Sequence, residues 1–106
     1  MSDNLKKYNY NDEDIQILVD LILLIDNEED CKKFLAELLS KSEFTSITQR
    51  IKIAHMLQDG KKYHEITETT KASTTTISRV NKVLSTENNM FYVMLKKLNK
   101  MKKLDK

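Results

Sequence analysis

The stretch GKKYHEITETTKASTTTISRVNKVL, residues 60–84, decides how the chain is read. It divides into two short helical segments with a brief break between them. The first helix is predicted from Tyr63 to Thr69 with Ile66 turned inward, a turn follows over Thr70 to Ala72, and Ser73 stands as the N-cap of the second helix. Serine suits that place because its hydroxyl accepts an N–H that the first helical turn leaves without a partner. In the second helix Ile77, Val80 and Leu84 fall at i, i+3 and i+7, one buried face. Thr75, Ser78, Arg79 and Lys82 take the opposite face at the same spacing. Two short helices joined by a turn, the second buried on one side and polar and basic on the other, form a helix-turn-helix pattern.

The exposed face carries the chemistry that a DNA groove demands. Base edges in the major groove present acceptors, donors and the thymine methyl, and Thr, Ser and Arg together can use all three. Thr74 and Thr75 sit with Ser73 at the start of the helix, where free N–H groups and the positive end of the dipole favour phosphate. Tyr63 and His64 open the preceding helix and are placed to touch the DNA backbone, while Lys61, Lys62, Lys71 and Lys82 add attraction that does not depend on sequence. A run such as TETTKASTTT would equally suit a polar loop, since Ser and Thr are indifferent helix formers. The apolar triplet, the serine cap and the basic residues within one element favour the helix.

Working outward, Asn11 is a plausible N-cap for a helix from Asp12 to Ile25 with an acidic first turn. Ile15, Ile17, Leu18, Val19 and the run Leu21 to Ile25 leave only a narrow polar strip of Glu13, Gln16 and Asp20. A helix apolar on most of its circumference must be covered on more than one side, which a chain of 106 residues can hardly do alone, so this helix is expected to form a dimer. Asn27 caps a second helix through Leu39, with Cys31, Phe34, Leu35, Leu38 and Leu39 on a buried stripe. Ser40 and Glu43, three apart, open a third in the capping-box arrangement, along which Phe44, Ile47, Ile51, Ala54 and Leu57 share a face. Gly60, the only glycine, ends it. Thr86 is expected to cap a final helix that mixes Met90, Phe91, Val93, Met94, Leu95, Leu98 and Met101 with lysines.

Composition narrows the function. One Gly and no Pro disfavour hairpins and point to an all-α fold. Cys31 has no partner for an internal disulfide, and His55 and His64 show no metal-ligand spacing, so no metal is expected and a reducing, cytoplasmic setting is. No apolar run approaches the roughly 18 residues of a membrane span. No nucleophile stands beside either histidine and no glycine-rich phosphate loop is present, so the chain is not expected to be an enzyme. Residues 1–30 hold nine acidic residues against two lysines, whereas the remainder holds 16 basic and seven acidic. That imbalance fits a phosphate-bearing partner, though solvated basic helix faces would produce it too.

The segment ITQRIKIAHMLQDGKKYHEITETTKASTTTISRVNKVL, residues 47–84, resembles the central region of the Trp-repressor superfamily, and within it the Trp-repressor-like proteins of Gram-positive bacteria. The resemblance extends over about residues 12 to 95. It implies an all-helical, intertwined homodimer that regulates transcription by binding double-stranded DNA at a pseudo-palindromic operator, with half-sites about one helical turn apart. Recognition positions then fall on Thr74, Thr75, Thr76 and Ser78, of which Thr76 is turned partly inward. The two arginines that hold the corepressor in the tryptophan repressor match Arg50 and Arg79. Val80 follows where tryptophan-binding members have glycine, and the region between the two helices is one residue shorter. Tryptophan is therefore not expected as a cofactor. Arg50 is left either to a different small anionic effector or to an ion pair with an acid such as Glu43.

The organisation expected is one domain over 1–106: a polar tail over 1–11, dimerisation and core helices over 12–59, the helix-turn-helix over 60–84, and a C-terminal helix with a basic tail over 86–106. The alternative to a DNA-binding regulator is a helical protein-interaction module, since a fold alone does not fix function.

Overall fold

The computed structural model describes residues 11–102. The tail over 1–10 and the last basic residues, 103–106, lie outside the described residues. Six helices and no strand are found among those described: α1 Asp12–Leu23, α2 Glu28–Leu38, α3 Lys41–Gln58, α4 Tyr63–Thr70, α5 Thr74–Leu84 and α6 Met90–Lys102. The fold is all-α, and the chain divides into two compact units, Met1–Ser40 and Lys41–Lys106.

The first unit holds α1 and α2. Asn11 caps α1, its Oδ1 accepting from the Glu13 N–H at 2.7 Å and the Asp14 N–H at 3.3 Å. Asn27 caps α2 in the same way, accepting from the Asp30 N–H at 2.8 Å. Both first turns are acidic, as the helix dipole favours. The first helix stops two residues short of the expected Ile25. Its end tightens, the Leu24 N–H reaching both Asp20 and Leu21 carbonyls at 3.2 Å and the Ile25 N–H reaching Ile22 at 3.1 Å. Neither helix contains a buried residue, and Cys31, expected in a core, is half-buried and free.

The second unit is built on α3, against which α4, α5 and α6 pack; α5 also packs on α4 and α6. Its core joins Ile53 and Ala54 of α3, Ile66 of α4, Ala72 of the turn, Ile77 and Val80 of α5, and Leu95 of α6. Ile53, Ile66 and Ile77 are fully enclosed, each contributing about 1.5–3 kcal/mol by burial. Half-buried Met56, Leu57, Tyr63, Leu84 and Phe91 close round them.

Two expectations for this unit are corrected. The face of α3 predicted to run through Phe44, Ile47, Ile51, Ala54 and Leu57 is covered only at its C-terminal end: Ala54 is buried and Leu57 half-buried against the core, with Ile53 enclosed beside them, while Phe44, Ile47 and Ile51 stand exposed. The core of the second unit takes up the stretch Ile53 to Leu57 and leaves the earlier turns of the same face uncovered. The cap of the last helix is Asn89, not Thr86. The Thr86 hydroxyl is engaged on the last turn of α5, donating to the Lys82 carbonyl at 3.1 Å, while Asn89 Oδ1 accepts from the Tyr92 N–H at 2.7 Å. Asn89 Nδ2 also donates to the Leu84 and Thr86 carbonyls at 3.0 and 2.8 Å, tying the end of α5 to the start of α6.

Gly60 ends α3 as expected, at φ +81°. The Lys61 N–H reaches the Met56 carbonyl and the Gly60 N–H that of Leu57, both at 3.0 Å, the paired bonds of a Schellman ending. Between α3 and α6 an apolar groove of about 590 Å³ is lined chiefly by Ile51, Phe91, Met94, Leu95, Leu98 and Met101. His55 and Gln58 bridge the same two helices, His55 Nε2 lying 3.1 Å from Asn99 Oδ1 and Gln58 Nε2 donating to the Tyr92 carbonyl at 3.2 Å. His55 is thus half-buried in a structural link, with Asp59 3.8 Å from its Nδ1.

Candidate nucleic-acid interface

The candidate site begins where α3 ends. Lys61 and Lys62 stand exposed before α4, whose start is fastened by Glu65: its Oε1 accepts the Lys62 N–H at 2.8 Å. That hydrogen bond, with the positive charges of Lys61, His64 and Lys62, holds the Glu65 carboxyl below the usual carboxylate range. At the other end of α4 the chain turns sharply. The Thr70 hydroxyl donates to the Ile66 carbonyl at 2.8 Å and accepts from the Ala72 N–H at 3.2 Å. Lys71 between them adopts the left-handed conformation, φ 63° and ψ 15°, its N–H bound to Thr67 at 2.8 Å. Lysine carries no signal for this conformation, which L side chains adopt at a cost of about 1–2 kcal/mol.

Ser73 caps α5: its Oγ accepts the Thr76 N–H at 3.2 Å and lies 3.2 Å from the Thr76 hydroxyl. Thr76 is half-buried, turned partly inward as its place on the helix implied. Ile77 and Val80 are buried and Leu84 half-buried, while Ser73, Thr74, Thr75, Ser78, Arg79 and Lys82 are exposed. The first helix is one residue longer than expected, so the turn comprises Lys71 to Ser73. His64 is exposed at the first turn of α4. Tyr63 is half-buried and packs on the core.

Over residues 60–84 five lysine and arginine side chains stand against two carboxylates, Glu65 and Glu68. All seven are exposed. The two arginines matched to an effector site, Arg50 on α3 and Arg79 on α5, are likewise exposed, whereas Val80 is only 4% exposed and fills part of the core. Among the described residues no group of three or more His, Cys, Asp or Glu is gathered as a metal site, and no helix is long and apolar enough to cross a membrane.

Sequence reasoning missed Gln49. Its Nε2 donates to the Thr70 carbonyl at 2.9 Å, joining α3 to the turn 21 residues later. A glutamine on the polar side of a helix gives no sign of such a distant partner, which only the packing of α4 on α3 creates.

A pair of short helices, the second capped by serine, buried by Ile77 and Val80 and open on its Thr, Ser and Arg side, defines a helix-turn-helix unit in an all-helical protein. The chain belongs to the Trp repressor protein family, which matches residues 13–99. It is 38% identical over 78 residues to the uncharacterised protein YerC of Bacillus subtilis, spanning 74% of this chain and 75% of YerC. A solved structure of a candidate Trp repressor from Staphylococcus aureus superposes with a TM-score of 0.80 at 33% identity, covering 92% of this chain and 96% of that one. A TrpR-like protein from Eubacterium eligens gives a TM-score of 0.79 at 30% identity, with the same coverage.

Proposed function

We propose that the protein is a sequence-specific DNA-binding transcriptional regulator of the repressor-like kind, without catalysis. It acts in the cytoplasm as a homodimer on a pseudo-palindromic operator. The observation that carries this reading is the exposed row Thr74, Thr75, Ser78, Arg79 and Lys82 on a helix whose other face is held by Ile77 and Val80. Such a helix offers base-reading side chains at fixed positions, with lysines around it for phosphate. The Trp repressor-like family typically consists of helix-turn-helix DNA-binding regulators, which supports the same reading.

Tyr63 and His64 meet the backbone of one strand, and Ser73 and Thr74 bring the start of α5 to a phosphate. Thr75, Ser78 and Arg79 face bases, Thr76 stays at the margin, and Lys82 adds charge. Val80 stands where tryptophan-binding members have glycine, so tryptophan is not taken as the effector. A small anion at Arg50 and Arg79 is the effector class the two exposed guanidinium groups favour.

Selection of random duplex DNA by the purified protein, at two salt concentrations and with and without tryptophan, tests this. An enriched inverted repeat with a steep salt dependence is expected, the slope being about −0.9 for each phosphate contacted. No enrichment, with weak binding of all duplexes alike, would leave the acidic first turns of α1 and α2 as a surface for a protein partner, the second reading.

A further inference from the structure

The bond between Gln49 and Thr70 does more than satisfy two polar groups. A carbonyl in the last turn of a helix has no partner within it, and that of Thr70 is met by a half-buried side chain from another helix. From Thr70 the connection runs on through its hydroxyl to the Ala72 N–H, through the buried Ala72 side chain to the core, and so to Ser73, which caps α5. Gln49 also stands one turn before Ile53, a fully buried residue of α3, and is itself half-buried.

Apolar packing at Ile77 and Val80 holds the buried face of α5, but packing is not directional. A hydrogen bond is, and this one acts at the end of α5 that carries Thr74 and Thr75. Base edges must be met within about half an ångström, whereas attraction to phosphate tolerates looser placement.

We propose that Gln49 is a positioning residue for DNA reading: by clasping the α4–α5 turn to α3 it fixes the attitude of the recognition helix, and with it sequence preference. This rests on the DNA-binding reading given above. Losing the clasp lowers preference for the selected site over random duplex while leaving the salt slope intact, because no phosphate contact is removed.

The test uses the full chain with Gln49→Met, close in length but without a donor, and Gln49→Lys, which restores one. Hydrogen exchange is measured along the backbone, and binding to the selected site is competed with random duplex. In Gln49→Met, exchange rises about tenfold over residues 70–76 and the preference ratio falls about tenfold, the effect of leaving one partly buried carbonyl unmet; Gln49→Lys recovers both. Exchange unchanged over 70–76, or raised equally in every helix, overturns the clasp. A parent that selects a site beside a Gln49→Met variant of equal preference overturns the reading role alone. A parent that selects no site overturns the DNA-binding reading itself, and this role with it.

Discussion

A single side chain on α5 contributes differently according to what it touches. Thr75 is exposed one turn before Arg79, on the row that faces away from Ile77 and Val80. Thr75→Ala removes a hydroxyl and a methyl with little effect on the fold, so it is expected to relax preference at one base pair by about 1–3 kcal/mol. Lys82→Ala removes only charge, weakens binding to every sequence, and reduces the salt slope by about 1. Competition between the selected site and its point variants, repeated across salt, separates the two, and identical behaviour of both would undo the assignment. At Gly60 the argument is conformational. A Cβ built there meets no atom within 4 Å, so space is no obstacle, and φ +81° alone sets the cost of substitution. Gly60→Ala is expected to destabilise by about 1 kcal/mol and Gly60→Asn by less, measured by denaturant unfolding. Residues of this kind were legible because each has a local rule: a lone glycine after a helix, a serine before one. Lys71 and Gln49 were not. The left-handed Lys71 is imposed by the turn rather than encoded in its side chain, and the partner of Gln49 comes from a different part of the chain.

Helices start and stop by competition for backbone groups, and the sequence shows the competitors without always showing the winner. Asn11, Asn27 and Ser73 stand directly before their helices, and each caps as expected. Thr86 lies within reach of the last carbonyls of α5 and is taken by Lys82, which passes the cap to Asn89 three residues on. The start of α4 depends on a charge. Glu65 accepts the Lys62 N–H as a carboxylate, and its pKa is lowered in the folded chain. A depressed folded pKa means a contribution present above the unfolded carboxylate pKa and lost as pH falls through the folded value. Acidification through that range is therefore expected to loosen the first turn of α4, where His64 stands. In Glu65→Gln the same turn is expected to be indifferent to pH, since the amide oxygen accepts the N–H without titrating. Amide chemical shifts of Lys62 and His64 followed against pH decide this: equal titration in parent and variant would exclude Glu65 as the cause.

For the molecule as a whole, the apolar surface exceeds what one copy covers. In α1, Ile17, Leu18, Leu21 and Ile22 are 43–58% exposed, and the first unit buries no residue of either helix. In the second unit Phe44, Ile47 and Ile51 on α3 and Met90, Val93 and Met94 on α6 are also exposed. The sequence already contained this excess: a helix with nine apolar positions and a three-residue polar strip has no face to give to water. Which part of the α3 stripe is left open was not legible, because Phe44, Ile47, Ile51, Ala54 and Leu57 share one period and only the docking of the later helices separates the covered end from the open one. Exposed apolar surface of this extent within each unit is a mark of association. The expected state is a homodimer whose melting temperature rises with protein concentration, since only the folded copies pair. Leu18→Asp sets a carboxylate on the apolar side of α1 while leaving the core of the second unit, Ile53 to Leu95, untouched. Sedimentation is expected to show a dimer for the parent and, for the variant, monomer or unfolded chain; operator binding is lost with it, because one copy carries one reading helix and a pseudo-palindrome needs two. A Leu18→Asp variant that stays folded, sediments as the parent does and binds the same repeat would mean that α1 is no part of the contact, and the open stripe of α3 would then be the surface that joins the copies.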